Sequence, residues 1–329
     1  MRVLHVDPSS EWRGGQRQLT LLVEGLAAQG FAQTVACASG GPLERRLPAS
    51  VARLALRPDG HPANAWALRR WLARHPVDLV AAHSSHAHGL AVLAGARPVV
   101  HRRVDFPVAR TPISRLKYAR ARGFICVSEA IRAVLAGCGV DPARCVVVSD
   151  GVRVPPKVPP ASLGEGRVVL AVGALVDHKD HATLAAAAEG LEARVVVAGE
   201  GPLRAALAGG PLELLGHRDD VPALLARADV FVHSSRTEGM GQAVAEAMAA
   251  GVPVVVTAAG GVPELVGDAG LVVPPQDPDA LRAALRQALA GVHPDPALAR
   301  ERVMTRFSVD AMVAGTARTY RRWGVSPGP

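Results

Sequence analysis

Short apolar runs recur along the chain with almost no polar interruption, separated by helix-forming stretches rich in Ala, Leu and Arg. Residues 3–6, 33–38, 79–82, 99–101, 124–127 and 146–148 form one series, and residues 168–172, 194–198, 213–215, 230–233 and 252–257 form a second. A strand with one wet face alternates apolar and polar side chains, whereas a strand covered on both faces has no polar side to show. Such runs spaced by helices restrict the chain to parallel sheets sandwiched between helices, a doubly wound α/β architecture. Between the two series lies Arg153-Val154-Pro155-Pro156-Lys157-Val158-Pro159-Pro160. Its prolines fix φ and remove amide donors, so it reads as a hinge rather than as strand or helix. Two Rossmann-like domains are predicted, 1–153 and 154–308. The 329 residues, 49% of them hydrophobic, are enough for two cores.

Composition narrows the setting. No stretch of about 18 uncharged apolar residues occurs, and Met1-Arg2-Val3-Leu4-His5-Val6-Asp7 reads as a first strand rather than a secretory leader, so a cytoplasmic chain is expected. Cys37, Cys126, Cys138 and Cys145 lack C-x-x-C spacing, which favours reduced structural thiols over a zinc site. The net charge of +8 is uneven: residues 1–156 hold 21 Lys and Arg against 10 Asp and Glu, and residues 157–329 hold 16 against 19. Arg97, Arg102, Arg103, Arg110, Arg115, Lys117, Arg120 and Arg122 cluster with only Asp105 opposing them. A field of this kind favours an anionic partner, here a phosphorylated or lipid-linked acceptor or a membrane surface touched peripherally through the basic cluster. Nucleic acid is not the expected partner.

Within the second series, the run from Ser235 to Val256 carries two carboxylates eight residues apart, Glu238 and Glu246. Gly239 and Gly241 permit a tight turn, and the breaker-free stretch 242–250 predicts a helix ending at Gly251. The open amides and dipole at such a helix start suit a diphosphate. Glu238 before the helix and Glu246 inside it can each receive a pair of vicinal hydroxyls. A nucleotide sugar has diols at both ends and a diphosphate between. Taken by themselves, the two glutamates read more readily as surface charges flanking a core helix, as most such pairs are.

The context goes further. Gly260-Gly261-Val262-Pro263-Glu264-Leu265-Val266 and Gly270-Leu271-Val272-Val273-Pro274-Pro275 follow in order. This block closely resembles the nucleotide-sugar half of the retaining glycosyltransferases of family 4 (glycosyl transferases group 1), most strongly over residues 168–275. The resemblance implies the GT-B fold, two Rossmann-like domains facing across a cleft, with the segment 309–329 returning to the N-terminal, acceptor-side domain. It also implies roles. Glu238 holds sugar hydroxyls and Glu246 the ribose diol, with Gly239, Met240, Gly241 and Gln242 forming the helix start between them. Lys179, in the loop opened by Gly173, grips the diphosphate. The family's companion Arg is replaced by Ala174, which leaves the helix-start amides and Arg236 or His178 as substitutes. Arg218 stacks on the base, Glu264 lies in the loop that closes the site, and Gly14 and Gly15 lie near the phosphates. His83 contacts the transferred sugar.

Asp277-Pro278-Asp279 has the spacing of a metal motif, but an N-cap followed by proline at the first helical position explains it better, so a metal-independent hexosyl-type enzyme without a cofactor is expected. The substrate would be a UDP- or GDP-sugar. His86 and His88 read as surface residues. No G-x-G-x-x-G follows the first strand, which argues against a dinucleotide dehydrogenase. Two rivals share the fold: a nucleotide-sugar epimerase, and a binding protein weakened in catalysis by Ala174.

Overall fold

A computed structural model describes residues 1–109 and 111–324. Arg110 of the basic cluster and the end of the 309–329 segment lie outside the described residues. The chain divides into two compact units: Met1–Gly151 together with the segment from Val309, and Val152–Ser308.

The first unit holds seven strands, β1 (Arg2–Asp7), β2 (Ala32–Ala38), β3 (Ala52–Leu56), β4 (Leu79–Ala82), β5 (Val99–Arg102), β6 (Gly123–Cys126) and β7 (Cys145–Val147). They pair in parallel in the order β3-β2-β1-β4-β5-β6-β7. The second holds β8 (Val168–Val172), β9 (Arg194–Ala198), β10 (Leu212–Gly216), β11 (Val230–His233), β12 (Val254–Thr257) and β13 (Leu271–Val273), parallel in the order β10-β9-β8-β11-β12-β13. Every residue of β4, β6, β11 and β12 is buried, which is why these strands show no alternation. β3 and β13 have no counterpart among the apolar runs. Both lie at a sheet edge: Ala52 and Arg53 are exposed in β3, and β13 has only three residues, none of them fully buried.

In each sheet the chain first winds outward and then crosses to the other side. The order reverses between β1 and β4 in one unit and between β8 and β11 in the other. At such a reversal the connections leave a crevice beyond the carboxyl ends of the strands, and ligands of open parallel sheets bind there.

Helices complete the cores. Gly14–Ala28 lays Leu22 and Leu26 against Val3, Leu79 and Ile125, and Val309–Gly324 adds Met312, Val313, Ala317 and Tyr320 to the same cluster. In the second unit Pro278–Leu289 sets Leu281 and Leu285 against Val169, Val197, Val230 and Val255. Asp277 caps that helix, accepting from the Ala280 amide at 2.9 Å with Pro278 at the first position, and Asp279 pairs with Arg282. The Asp-Pro-Asp run is therefore a helix start. The cysteines are free thiols, three of them buried.

Candidate active site

The reversal point of the second unit gathers the predicted charges. β8 runs out into Gly173, and the chain turns through a short 3-10 segment, Asp177–Lys179. The Lys179 stem passes over Gly173, where an added Cβ would lie 3.7 Å from its Cδ and Cε. β11 ends at His233, and the following loop brings Glu238 onto the Lys179 ammonium as an ion pair, each side chain about one-fifth exposed. His233 Nε2 lies 3.3 Å from the same carboxylate oxygen and 3.0 Å from Ser235 Oγ. The Gly239 amide donates to the other oxygen at 3.2 Å. A carboxylate has about four acceptor positions. Lys179, His233 and Gly239 occupy three of those on Glu238, leaving room for one further donor among the described residues.

Burial alone would raise the Glu238 pKa, but the His233 hydrogen bond and the Lys179 charge outweigh it and hold the carboxyl well below its ordinary value. His233 is depressed by burial first and by Lys179, against the pull of Glu238, so it is a neutral donor. Thr257 fixes the loop from β12, donating at 2.6 Å to the Ser235 carbonyl. Gly260, at φ +50°, lies so close that a Cβ there would sit 1.8 Å from the Glu238 carbonyl oxygen. The Gly261 amide donates to that oxygen at 3.1 Å.

The helix Gln242–Ala250 follows directly. Gly241 caps it in the left-handed region and offers no side-chain acceptor to the first amides, and Gly251 ends it in the same region. Met240 is buried, and Gln242 and Glu246 are half-buried along this helix. Arg236 is drawn back: its guanidinium pairs with Asp177 and its amide donates to the His178 carbonyl at 2.9 Å. Arg218, after β10, is held by both carboxylate oxygens of Asp220, at 2.7 and 2.6 Å. Glu264 lies in the first turn of Val262–Val266, where its carbonyl accepts from Arg302 at 2.9 Å. The structure thus joins Lys179, Glu238 and Gly173 directly, with Arg236 one residue pair away. Arg218 lies on the loop after β10, held by Asp220, and Glu264 in the first turn of Val262–Val266.

In the first unit, Gly14 and Gly15 open the helix Gly14–Ala28, and beyond its own helix no atom of the described residues lies within 4 Å of where a Gly15 Cβ would sit. Gln16 links this start to β1, donating to Asp7 Oδ2 at 2.9 Å. Burial raises the Asp7 pKa against the Gln16 and Ser9 hydrogen bonds. His83 follows β4 and is buried in a stack of rings: His101 lies 4.3 Å from it between centroids and His5 5.2 Å. His101 Nε2 lies 2.6 Å from the Tyr320 hydroxyl. His88, read as a surface residue, is buried instead, with Nε2 3.0 Å from the Lys117 carbonyl, because its side of the helix Ser85–Leu93 faces the sheet and the neighbouring helix. Sequence reasoning did not single out His233, Ser235, Thr257, His5 or His101. The run His233-Ser234-Ser235 after three apolar residues was the available signal for the first two.

No cluster of His, Cys, Asp or Glu suited to a metal ion occurs among the described residues. The family model described as Glycosyltransferase Family 4 matches residues 12–154, and the one described as Glycosyl transferases group 1 matches residues 166–291. The chain belongs to glycosyltransferase family 4. This family-4 chain is 30% identical over 237 residues to a GDP-mannose-dependent alpha-(1-6)-phosphatidylinositol dimannoside mannosyltransferase of Mycobacterium tuberculosis, covering 67% of the chain and 61% of that protein. It is 49% identical to the Escherichia coli O-antigen chain mannosyltransferase B over 71 residues, 22% of the chain and 19% of that protein. The chain thus spans less than two thirds of these relatives. Among solved structures, a glycosyltransferase from Rickettsia africae superimposes with a TM-score of 0.81 at 18% identity over 98% of both chains. Anabaena Alr3699/HepE, solved with UDP and glucose, gives 0.78 at 20% identity over 98% of this chain and 99% of that one. Together they show the GT-B fold of two Rossmann-like domains.

Proposed function

We propose that this chain is a retaining, metal-independent glycosyltransferase that moves a hexosyl group from a nucleotide diphosphate sugar to an acceptor. The observation that carries the reading is the Lys179–Glu238–His233 cluster at the reversal point of the second sheet, beside a helix start whose glycine cap has no side chain. A diphosphate arriving there meets the Lys179 ammonium and the first amides of Gln242–Ala250, both of which stabilise the charge it gains as the sugar departs. Glu238 has one acceptor position left for a sugar hydroxyl, and Glu246, one turn into the helix, is assigned the ribose diol. Gly14 and Gly15 of the first unit are assigned to the phosphates and His83 to the transferred sugar by the family resemblance alone. The acceptor oxygen bonds to the anomeric carbon on the face from which the phosphate leaves, the carbon–phosphate oxygen bond breaks, and the hydroxyl proton passes to the departing phosphate oxygen.

The acceptor is proposed to be a glycolipid or polysaccharide of the cell envelope, used at the inner face of the membrane. Two observations support this: relatives that act on phosphatidylinositol mannosides and O-antigen chains, and the basic cluster of the first unit. No helix among the described residues is long and apolar enough to cross a membrane. The test is transfer from UDP-glucose and GDP-mannose to phosphatidylinositol mannosides or lipid-linked saccharides, with and without EDTA. Product formed equally in both supports the proposal. Turnover of either sugar nucleotide without an acceptor would indicate an epimerase instead.

A further inference from the structure

The hydrogen bonds behind His83 determine which of its nitrogens carries the proton. Gln33 approaches the Val23 carbonyl with its amide nitrogen at 2.9 Å. A carbonyl oxygen only accepts, so the amide oxygen must be the atom that faces His5, whose Nε2 lies 3.0 Å away. His5 Nε2 is therefore protonated. Burial keeps this imidazole neutral, with its pKa pushed down to about 4, so His5 Nδ1 is a bare acceptor. His83 Nε2, 3.0 Å from it, must be the donor. Burial first, then His101, His5 and Arg103, keeps His83 neutral as well. Its proton is thus committed to the interior, and the remaining nitrogen, Nδ1, is a buried lone pair without a hydrogen-bond partner among the described residues. Native interiors seldom leave such an acceptor unmet, and this one follows β4 at the point where the first sheet reverses.

We infer that Gln33 and His5 are positioning residues that set His83 as a one-way acceptor, so that the substituent it meets on the bound sugar is a neutral hydroxyl and not a carboxylate, sulfonate or phosphate. A hydroxyl brings the proton that the pair needs, whereas an anionic group brings only lone pairs. The inference rests on the nucleotide-sugar reading and narrows it to sugars uncharged at that position. Nδ1 is buried and must become accessible as the sugar binds.

Histidine-selective 15N spectra of the full chain test the wiring without any ligand. The expected result is His83 protonated on Nε2, with an Nδ1 resonance that shifts when UDP-glucose or GDP-mannose is added. Binding measurements then compare each with its uronic acid counterpart, the uronate being weaker by about tenfold or more, the scale of leaving a buried acceptor unpaired. His5→Phe or Gln33→Leu should erase most of that preference while UDP and GDP still bind. His5→Asn, whose Oδ1 accepts in place of Nδ1, should retain it. A protonated His83 Nδ1, equal affinity for the uronate, or a preference unchanged in His5→Phe would each overturn the proposal. Failure of UDP, GDP and both sugars to bind would overturn the nucleotide-sugar reading along with it. The spectra and the wild-type comparison require no variant to fold.

Discussion

Lys179 carries much of the electrostatic work proposed for this site, and its charge is met by Glu238. A diphosphate must share that lysine, and His233 and Gly239 keep the carboxylate in place while it does. Lys179→Met should lower kcat by about 10²–10³, the scale on which a preorganised electrostatic contact acts, with a smaller change in KM in steady-state assays. Gly260→Ala should displace the Glu238 loop: the residue sits at φ +50° and its new Cβ would collide with the Glu238 carbonyl oxygen. About 1–3 kcal/mol of stability should be lost in denaturant titration, and kcat/KM should fall with it. Glu238 and Lys179 were legible in sequence through the resemblance of their loops to family 4, since by charge alone each reads as an ordinary surface residue. His233 was not, because as the last residue of a buried strand it resembles a core residue until Glu238 folds back onto it. Ala174 left an apparent cation gap, and Arg236, the nearest substitute, is held by Asp177.

At the scale of elements, the helix Gln242–Ala250 was readable at both ends because only glycine is at ease in the left-handed conformations that bound it. Edge strands were harder. β3 and β13 bury little, so selection for apolar runs is weak there and the pairing is visible only in three dimensions. The helix Pro112–Arg120 is the opposite case, regular but with no buried residue at all. It exposes 81% of Ile113 and 56% of Leu116, near a Phe106 exposed by 58%, and its Arg115 and Arg120 side chains have no acidic partner among the described residues. This is the surface through which the basic cluster would reach anionic lipid. Replacing Arg115 and Arg120 by Gln should weaken partition onto phosphatidylglycerol-containing vesicles by about 30-fold, from about 1 kcal/mol per charge, as read by vesicle flotation at low salt. Partition unchanged by the substitutions would remove this helix from the acceptor reading.

For the molecule as a whole, the buried imidazoles set an acid limit. His5, His83, His88 and His101 in the first unit, and His181 and His233 in the second, all have pKa values lowered chiefly by burial. A histidine neutral when folded and free to charge when unfolded stabilises the folded state fully above its unfolded pKa of about 6.5. Below that value each costs up to about 1.4 kcal/mol per pH unit until its folded pKa is reached. The depressed Glu238 acts lower, its contribution being lost only below the ordinary carboxylate range. With four of these histidines against two, the first unit should open at a higher pH than the second. Hydrogen exchange followed from neutral pH downward should therefore show Val309–Gly324 losing protection before Pro278–Leu289.

The helix Val309–Gly324 also bears on the order in which the protein can be made. Met312, Val313, Ala317 and Tyr320 belong to the core of the first unit, yet they leave the ribosome only after all of Val152–Ser308. The second unit can close as soon as its own residues emerge. The first must wait with the part of its sheet face beside Gly14–Ala28 uncovered, so nascent chains stalled short of Val309 are where chaperone binding and aggregation should concentrate.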